Sequence, residues 1–364
     1  MSKQLGTVWP LEPHTAKKHE ILRRYFEAWL PIMTRWNDRV VYIDGFAGPG
    51  KYSQGEDGSP VIVLKAARDH DYRFETELVC LFVEDDLDRY EHLNQVLAQI
   101  DPPLPANVRF QTIHGKFDEH LTQVFDELQE MKEKMAPTLA FIDPFGFMHT
   151  PFSTVAKILK NARCEVLVNF MYEDINRFLK LPEHAVNFDR LFGTTEWREA
   201  LEKPTPEARR RFIHDLYLEQ LRKAAGYARS FEMLNQGNRT DYFLFFASNS
   251  LKGLEKMKES MWKVDPSGEF QFSDFTDASA QLSLFKGEPH FAVLRKMITS
   301  YFNGKEVGIK QLEDWVVAET PFLRTHIRTS VLTPMEKEGA LSVPNPKQGR
   351  KSCTYPDGTI VRFS

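Results

Sequence analysis

The sequence predicts an α/β fold with a mostly parallel sheet, followed by a smaller helical unit, and three observations carry that expectation. Short β-branched or apolar runs alternate with amphipathic helical stretches between residues 40 and 170. The first of those runs, Val40-Val41-Tyr42-Ile43, is continuous and β-branched, which is how a strand covered on both faces reads. Beyond residue 289 the pattern changes to successive helices and then a turn-rich stretch.

The first element is a helix, with Thr15 as candidate N-cap and Ile21, Leu22, Tyr25, Phe26, Trp29 and Leu30 at helical spacing up to about Ile32. Val40-Val41-Tyr42-Ile43 follows as a buried strand that runs into Asp-Gly and a glycine turn. The polar loop 51–58 leads to Ser59-Pro60, a cap followed by proline at the first helical position, which opens a helix to His70. The alternation continues as strand 78–83, helix 88–100, strand 108–113, helix 117–135, strand 138–142, helix 152–159 and strand 164–170. Residues 174–228, rich in Arg and Glu, read as a helical insertion. DYFLFFA, residues 241–247, is expected as the sixth strand and 251–262 as its partner helix, completing a first domain over 1–270. Residues 271–288 read as a polar linker. Residues 289–364 then carry helices 290–302, 309–318 and 322–339, a turn at Asn303-Gly304, and a hairpin with the basic loop PNPKQGRK. Three helices and a hairpin are the order of a winged helix-turn-helix.

A chain of 364 residues suits two compact units. Its 42% apolar and 27% charged content is ordinary globular usage, which excludes disordered and fibrous classes. The first twenty residues hold no apolar signal core, and nowhere do eighteen uncharged apolar residues run together, so a cytoplasmic protein with no membrane association is expected. Cys80, Cys164 and Cys353 are far apart and in no metal-ligand spacing. They imply a reducing compartment and no bound metal, with Cys80 and Cys164 buried in strands. The net charge is −4, but residues 289–364 carry 11 Lys and Arg against 7 Asp and Glu, so that end is the expected polyanion contact.

The motifs gather at strand ends, where ligands of such sheets bind. In YIDGFAGPG, Asp44 offers a carboxylate for an ammonium, and Gly45, Phe46, Ala47, Gly48 and Gly50 form a turn that lets backbone approach a ligand closely. Glu84 and Asp85 end the second strand, where an acid accepts from ribose hydroxyls; helix capping is the alternative. After the third strand Phe117 offers a stacking face and Asp118 an acceptor for an exocyclic amine, or an ordinary N-cap. Asp143, Pro144, Phe145 and Gly146 end the fourth strand, with an acceptor, an exposed carbonyl and a flat ring suited to holding a nucleophilic amine in line. His14, Lys17 and His19 share one side of the first helix, and Lys17 is the candidate to reach the ligand from a lid.

The glycine turn, the acidic second-strand tip and the DPFG segment resemble class I S-adenosylmethionine-dependent methyltransferases. DPFG is similar to the Asp-Pro-Pro-aromatic motif of amino-methylating nucleic-acid enzymes, with Phe145 in place of the second proline. As a set, HTAKKHEIL, YIDGFAGPG, GSPVIVL, LAFIDPFGF and MKESMWKVDP resemble the bacterial three-Cys-motif partner family over most of residues 9–270. The resemblance implies a Rossmann-like class I methyltransferase sheet, S-adenosyl-L-methionine as cofactor, and a companion three-Cys-motif protein of the radical S-adenosylmethionine kind. Asp44 and Glu84 lie 40 residues apart, where about 20 is usual; the loop 51–58 accounts for the excess. The expected function is methylation of an amine on a nucleic acid or nucleotide-like substrate. The alternative is a non-catalytic partner subunit of the same fold in a DNA repair or phage-related complex. Gln281-Leu282-Ser283-Leu284-Phe285 resembles the peptide by which bacterial proteins dock into the sliding clamp. No phosphate-binding P-loop, HExxH or GxSxG pattern occurs, and GFAGPG lacks the dinucleotide register of a dehydrogenase.

Overall fold

The computed structural model describes residues 6–266, 270–273, 291–346 and 349–363. Helix α1 (Pro13–Thr34) opens on proline at its first position and buries Ile21, Leu22, Tyr25, Phe26, Trp29 and Leu30, the stripe its periodicity demands. It begins before Thr15, which therefore lies inside the first turn and caps nothing. The chain then alternates β1 (Arg39–Asp44), α2 (Ser59–Arg68), β2 (Glu77–Glu84), α3 (Leu87–Ala98), β3 (Val108–His114), α4 (Phe117–Met131), β4 (Thr138–Ile142), α5 (Phe152–Leu159) and β5 (Cys164–Phe170). Helix α4 stops four residues short of the expected end because Lys132 takes the left-handed conformation, φ 56°, and its amide closes back on the last turn.

Beyond β5 come α6 (Tyr172–Phe178), α7 (Ala185–Phe192) and α8 (Pro206–Ala224), with 3-10 turns between them. This insertion buries Phe188, Phe192, Trp197 and Tyr217 beside Phe170 and Phe245 of the sheet. It ends earlier than expected, because β6 (Tyr227–Leu234) follows α8 directly. DYFLFFA is therefore not the sixth strand but most of the seventh, β7 (Thr240–Ser248), which inserts between β5 and β6 and runs antiparallel to both. Helix α9 (Leu251–Val264) follows, and β8 (Gln271–Ser273) adds to β6. The sheet order is β3-β2-β1-β4-β5-β7-β6-β8. Five parallel strands ordered 3-2-1-4-5, then a reversed seventh and a sixth, make the expected class I methyltransferase-like sheet. Cys80 and Cys164 are fully buried in β2 and β5, as expected.

The remaining unit comprises α10 (Phe291–Phe302), β9 (Glu306–Gly308), α11 (Ile309–Glu319), α12 (Thr325–Ile327), a π turn (Arg328–Leu332), α13 (Thr333–Lys337), β10 (Leu341–Ser342) and β11 (Ile360–Phe363). The expected third helix is thus broken by a π turn. The expected hairpin, β10 with β11, is widened by β9 into an antiparallel three-stranded sheet of order β10-β11-β9.

Two cations of the large sheet domain fasten this unit. Lys258 of α9 is fully buried and donates to the carbonyls of Val316 (3.3 Å), Val317 (2.8 Å) and Phe322. Arg229 of β6 reaches the carbonyls of Ala318 and Thr320, both at 3.1 Å. These carbonyls cluster at the C-terminal end of α11, where intrahelical donors run out and the helix dipole is negative. Burial pushes the Lys258 ammonium well below its ordinary pKa, so the carbonyls are what hold the charge there. Replacing it by Lys258→Met takes the ammonium from the Val317 and Phe322 carbonyls in an apolar setting, while Val316 O keeps Thr320. A loss of about 2 to 4 kcal/mol in urea unfolding, with faster proteolysis within residues 291–363 than in wild type, is the expected outcome; unchanged stability would show that the contacts contribute nothing.

Candidate active site

Parallel pairing in register fixes where the acids converge. Asp44, the last residue of β1, lies opposite Phe82 of β2 and Phe141 of β4. Glu84 and Asp143 each stand two residues further along, so three carboxylates end three neighbouring strands. Backbone bonds then shape the glycine turn: Gly45 N donates to Phe141 O and Ala47 N to Val83 O, both at 2.9 Å. Gly48 and Gly50 take φ of 64° and 81°, where a side chain is strained, and a Cβ on Gly45 would sit 2.6 Å from the Phe117 ring.

Each acid is held differently. Asp44 is fully buried; its Oδ1 accepts from Phe46 N at 3.3 Å, and its Oδ2 has no partner at hydrogen-bonding geometry. Burial raises its pKa to about 7, the Asp143 charge adds to this, and the Ser59 hydroxyl and Phe46 amide pull the other way. Glu84 is buried too, and each oxygen accepts one backbone amide, Gly48 N at 2.8 Å and Asp86 N at 3.0 Å. Burial raises its pKa and those two amides oppose the rise. Asp143 takes the Lys18 ammonium on both oxygens, at 2.7 and 2.6 Å, and Asn169 Nδ2 at 2.5 Å. The Lys18 ammonium also lies 5.2 Å from the centre of the Tyr242 ring. Next along α1, His19 is held neutral: burial and the Lys18 charge lower its pKa to about 3.

The segment before α1 closes over these tips. Trp9 packs edge-on against Tyr52 and Phe145, and the Arg89 guanidinium lies over both Trp9 and Phe145, at 5.2 and 4.9 Å. The Trp9 carbonyl accepts Ser53 N at 2.9 Å. A cation between two aromatic faces thus bridges the tips of β2 and β4.

Of the residues expected from sequence, Asp44, Gly45, Phe46, Ala47, Gly48, Gly50, Glu84, Asp143 and Phe145 come together here. Others are placed elsewhere or already engaged. Lys17 is not brought in: it pairs with Glu20 at 3.2 Å, and the neighbouring Lys18 makes the contact. Asp85 is exposed, and the helix cap is Asp86, which accepts Arg89 N. Phe117 is a core side chain, 1% exposed, with its ring against Gly45 and Phe46. Asp118 faces the insertion and pairs with Arg190 at 3.3 Å. The Pro144 carbonyl, expected to be exposed, accepts Gly146 N at 3.0 Å, with Gly146 at φ 108°. Phe145 keeps its flat face, being 48% exposed.

Sequence reasoning missed Lys18, Asn169, Trp9, Tyr52 and Arg89. Two of them left a signal: Lys18 is in phase with Leu22, Tyr25 and Trp29 on the apolar stripe, and Asn169 interrupts a strand in which every residue is buried. Among the described residues no group of His, Cys, Asp and Glu is arranged to hold a metal ion, and no helix is long and apolar enough to cross a membrane.

No protein-family model and no curated protein matches the chain. Solved structures similar to it include LPL1258 of Legionella pneumophila, at 13% identity over 64% of this chain and 84% of that one, TM-score 0.37. Trm1 of Pyrococcus horikoshii, in complex with S-adenosyl-L-methionine, aligns at 11% identity over 99% and 96%, TM-score 0.35. The cyclopropane synthase MmaA2 of Mycobacterium tuberculosis aligns at 9% over 71% of each, TM-score 0.26. At such scores the functional reading rests on the sheet order and on the chemistry of the strand tips.

The buried Asp44 couples stability to pH. Its folded pKa lies above the ordinary carboxylate value, so between about pH 4 and 7 the native state keeps a proton that the unfolded chain has lost. Its contribution to stability is therefore intact below pH 4 and is lost as pH rises through 7. Asp44→Asn removes that loss: it should be more stable than wild type at pH 8, by at most on the order of 3 to 4 kcal/mol, with the gain shrinking toward pH 4. Urea titrations of both proteins across that range check it.

Proposed function

We propose that this chain is an S-adenosylmethionine-dependent methyltransferase that acts on an amine of a nucleic acid or nucleotide-like molecule, together with a three-Cys-motif partner. The observation that carries the reading is the unpartnered Asp44 Oδ2, buried at the end of β1 beside a turn with two left-handed glycines. The Ser59 and Tyr42 hydroxyls lie near this carboxylate but Oδ2 closes no hydrogen bond, which is costly in a buried setting, and a ligand ammonium satisfies it. Asp44 would hold the amino-acid end of the cofactor, the turn from Gly45 to Gly50 its middle, and Glu84 its ribose. Once bound, the cofactor supplies a methyl group on a cationic sulfur.

The rest is done by side chains of this chain. Two amides orient the Glu84 carboxylate and leave lone pairs for a diol. Trp9, Arg89 and Phe145 cover the strand tips and exclude water. The β4 tip orients the acceptor, and positioning provides most of the rate gain. In the C-terminal unit Arg324, Arg328 and Arg350 are tied to carboxylates. Lys296, Lys305, Lys310, Lys337, Lys351 and Arg362 make no ion pair among the described residues, and they support contact with a polyanion. The clamp-docking peptide 281–285 lies outside the described residues and stays a proposal from sequence.

A second reading, a non-catalytic partner subunit, is favoured by the engaged state of DPFG, with Lys18 on Asp143 and Gly146 on Pro144. Calorimetric titration separates the two. S-adenosylmethionine should bind at pH 8, lose most of its affinity in Asp44→Ala and in Glu84→Ala, and bind about tenfold more weakly at pH 6, where Asp44 must give up a proton first. Absence of binding, or undiminished binding in both variants, removes the cofactor assignment. Methyl transfer to DNA or RNA by the purified chain alone removes the non-catalytic reading.

A further inference from the structure

We propose that Asp143, Asn169 and Tyr242 form a seat for a primary alkylammonium group, and that Lys18 fills this seat from within the chain. Asp143 presents both carboxylate oxygens to the Lys18 ammonium, at 2.7 and 2.6 Å, and Asn169 Nδ2 fixes that carboxylate from β5 at 2.5 Å. The Tyr242 ring lies 5.2 Å from the same nitrogen, as the aromatic walls of cation sites do. Carboxylate, amide and ring come from three different strands, so the sheet itself builds the seat.

The seat offers more than its occupant uses. Asn169 is 4% exposed and its Oδ1 has no hydrogen-bond partner. An ammonium carries three donors, while Lys18 makes its recorded hydrogen bonds to Asp143 alone. A seat with a carboxylate, one surplus buried acceptor and an aromatic face matches a charged alkyl amine, whereas the exocyclic amine of a nucleobase is planar and uncharged. Lysine is also the side chain suited to leaving, a point charge on a flexible four-carbon stem. The incoming ammonium has two sources with the same chemistry: an aminoalkyl group on the acceptor, or the methionine end of the cofactor. The first source rests on the methyltransferase reading and makes the acceptor amine aliphatic.

An internal occupant lowers the apparent affinity of any competitor by the fraction of time the seat is free. Calorimetry on the full chain with two probes, n-butylammonium and S-adenosylhomocysteine, in wild type, Lys18→Met and Asp143→Asn, reads this directly. At least one probe should bind about tenfold or more tightly to Lys18→Met than to wild type, and should lose affinity in Asp143→Asn. n-Butylammonium meeting this assigns the seat to an acceptor amine; S-adenosylhomocysteine alone meeting it assigns the seat to the cofactor. Lysine acetylation footprinting of the wild type gives a second readout that needs no variant to fold. Lys18 should be protected in the protein alone and become reactive when the probe is bound.

The proposal is overturned if neither probe binds more tightly to Lys18→Met than to wild type, if Lys18 stays protected with both probes, or if both probes fail to bind. S-adenosylhomocysteine binding insensitive to Lys18→Met, with no n-butylammonium binding, overturns the seat and leaves the methyltransferase reading standing. Displacement of Lys18 by n-butylammonium without any binding of S-adenosylhomocysteine does the reverse.

Discussion

Three carboxylates at three adjacent strand ends, Asp44 and Glu84 buried and Asp143 partly so, are the constraint around which this structure is organised. Parallel pairing leaves no choice about their convergence, since the carboxyl ends of neighbouring parallel strands share one edge of the sheet. Each acid escapes the cost of burial by a different route. Asp44 keeps its proton to about pH 7, Glu84 draws on two backbone amides, and Asp143 draws on a lysine and an asparagine. The glycine turn belongs to the same arrangement, because Gly48 must present its amide to Glu84 while its φ is 64°. A fold selected for stability alone would place apolar residues at these tips.

The N-terminal helix links this edge to the core. Its apolar stripe buries Leu22, Tyr25 and Trp29, and one turn earlier the same face delivers Lys18 to Asp143. Side-chain placement at the site is therefore set by helix packing, with the segment around Trp9 laid over the top. The C-terminal unit is joined by a different principle. There Lys258 and Arg229 answer the bare carbonyls at the end of α11, and Arg324 adds a bond to Glu255. Hydrogen bonds of this kind fix orientation more sharply than apolar contact does.

The sequence was legible where one physical rule acted alone. Strands β1, β2 and β4 are nearly continuous apolar runs between helical stretches, and the parallel sheet and its tips followed from that. Strand β6 escaped notice because it carries Arg229, Ser230 and Glu232 and follows an Arg-rich helix with only Ala225-Gly226 between. Its omission made β7 look like the sixth strand. At the site, the residues set by strand ends and by the turn were readable: Asp44, Glu84, Asp143 and the glycines. Those set by tertiary pairing were not. Asn169 reaches Asp143 from 26 residues away and Lys18 from 125; each stands out as a polar residue on a buried face, but nothing local names Asp143 as its partner. Lys17 and Asp85 fail for a narrower reason: one position of helical or loop phase separates each from the neighbour, Lys18 or Asp86, that makes the contact.

The way α11 is held has a consequence for reach. With its terminal carbonyls clasped by a lysine of α9 and an arginine of β6, the small unit cannot swing on a tether; it travels with the sheet as one piece. The distance from its surface to the strand edge is then set by that clasp, as the gap of a calliper is set by its screw.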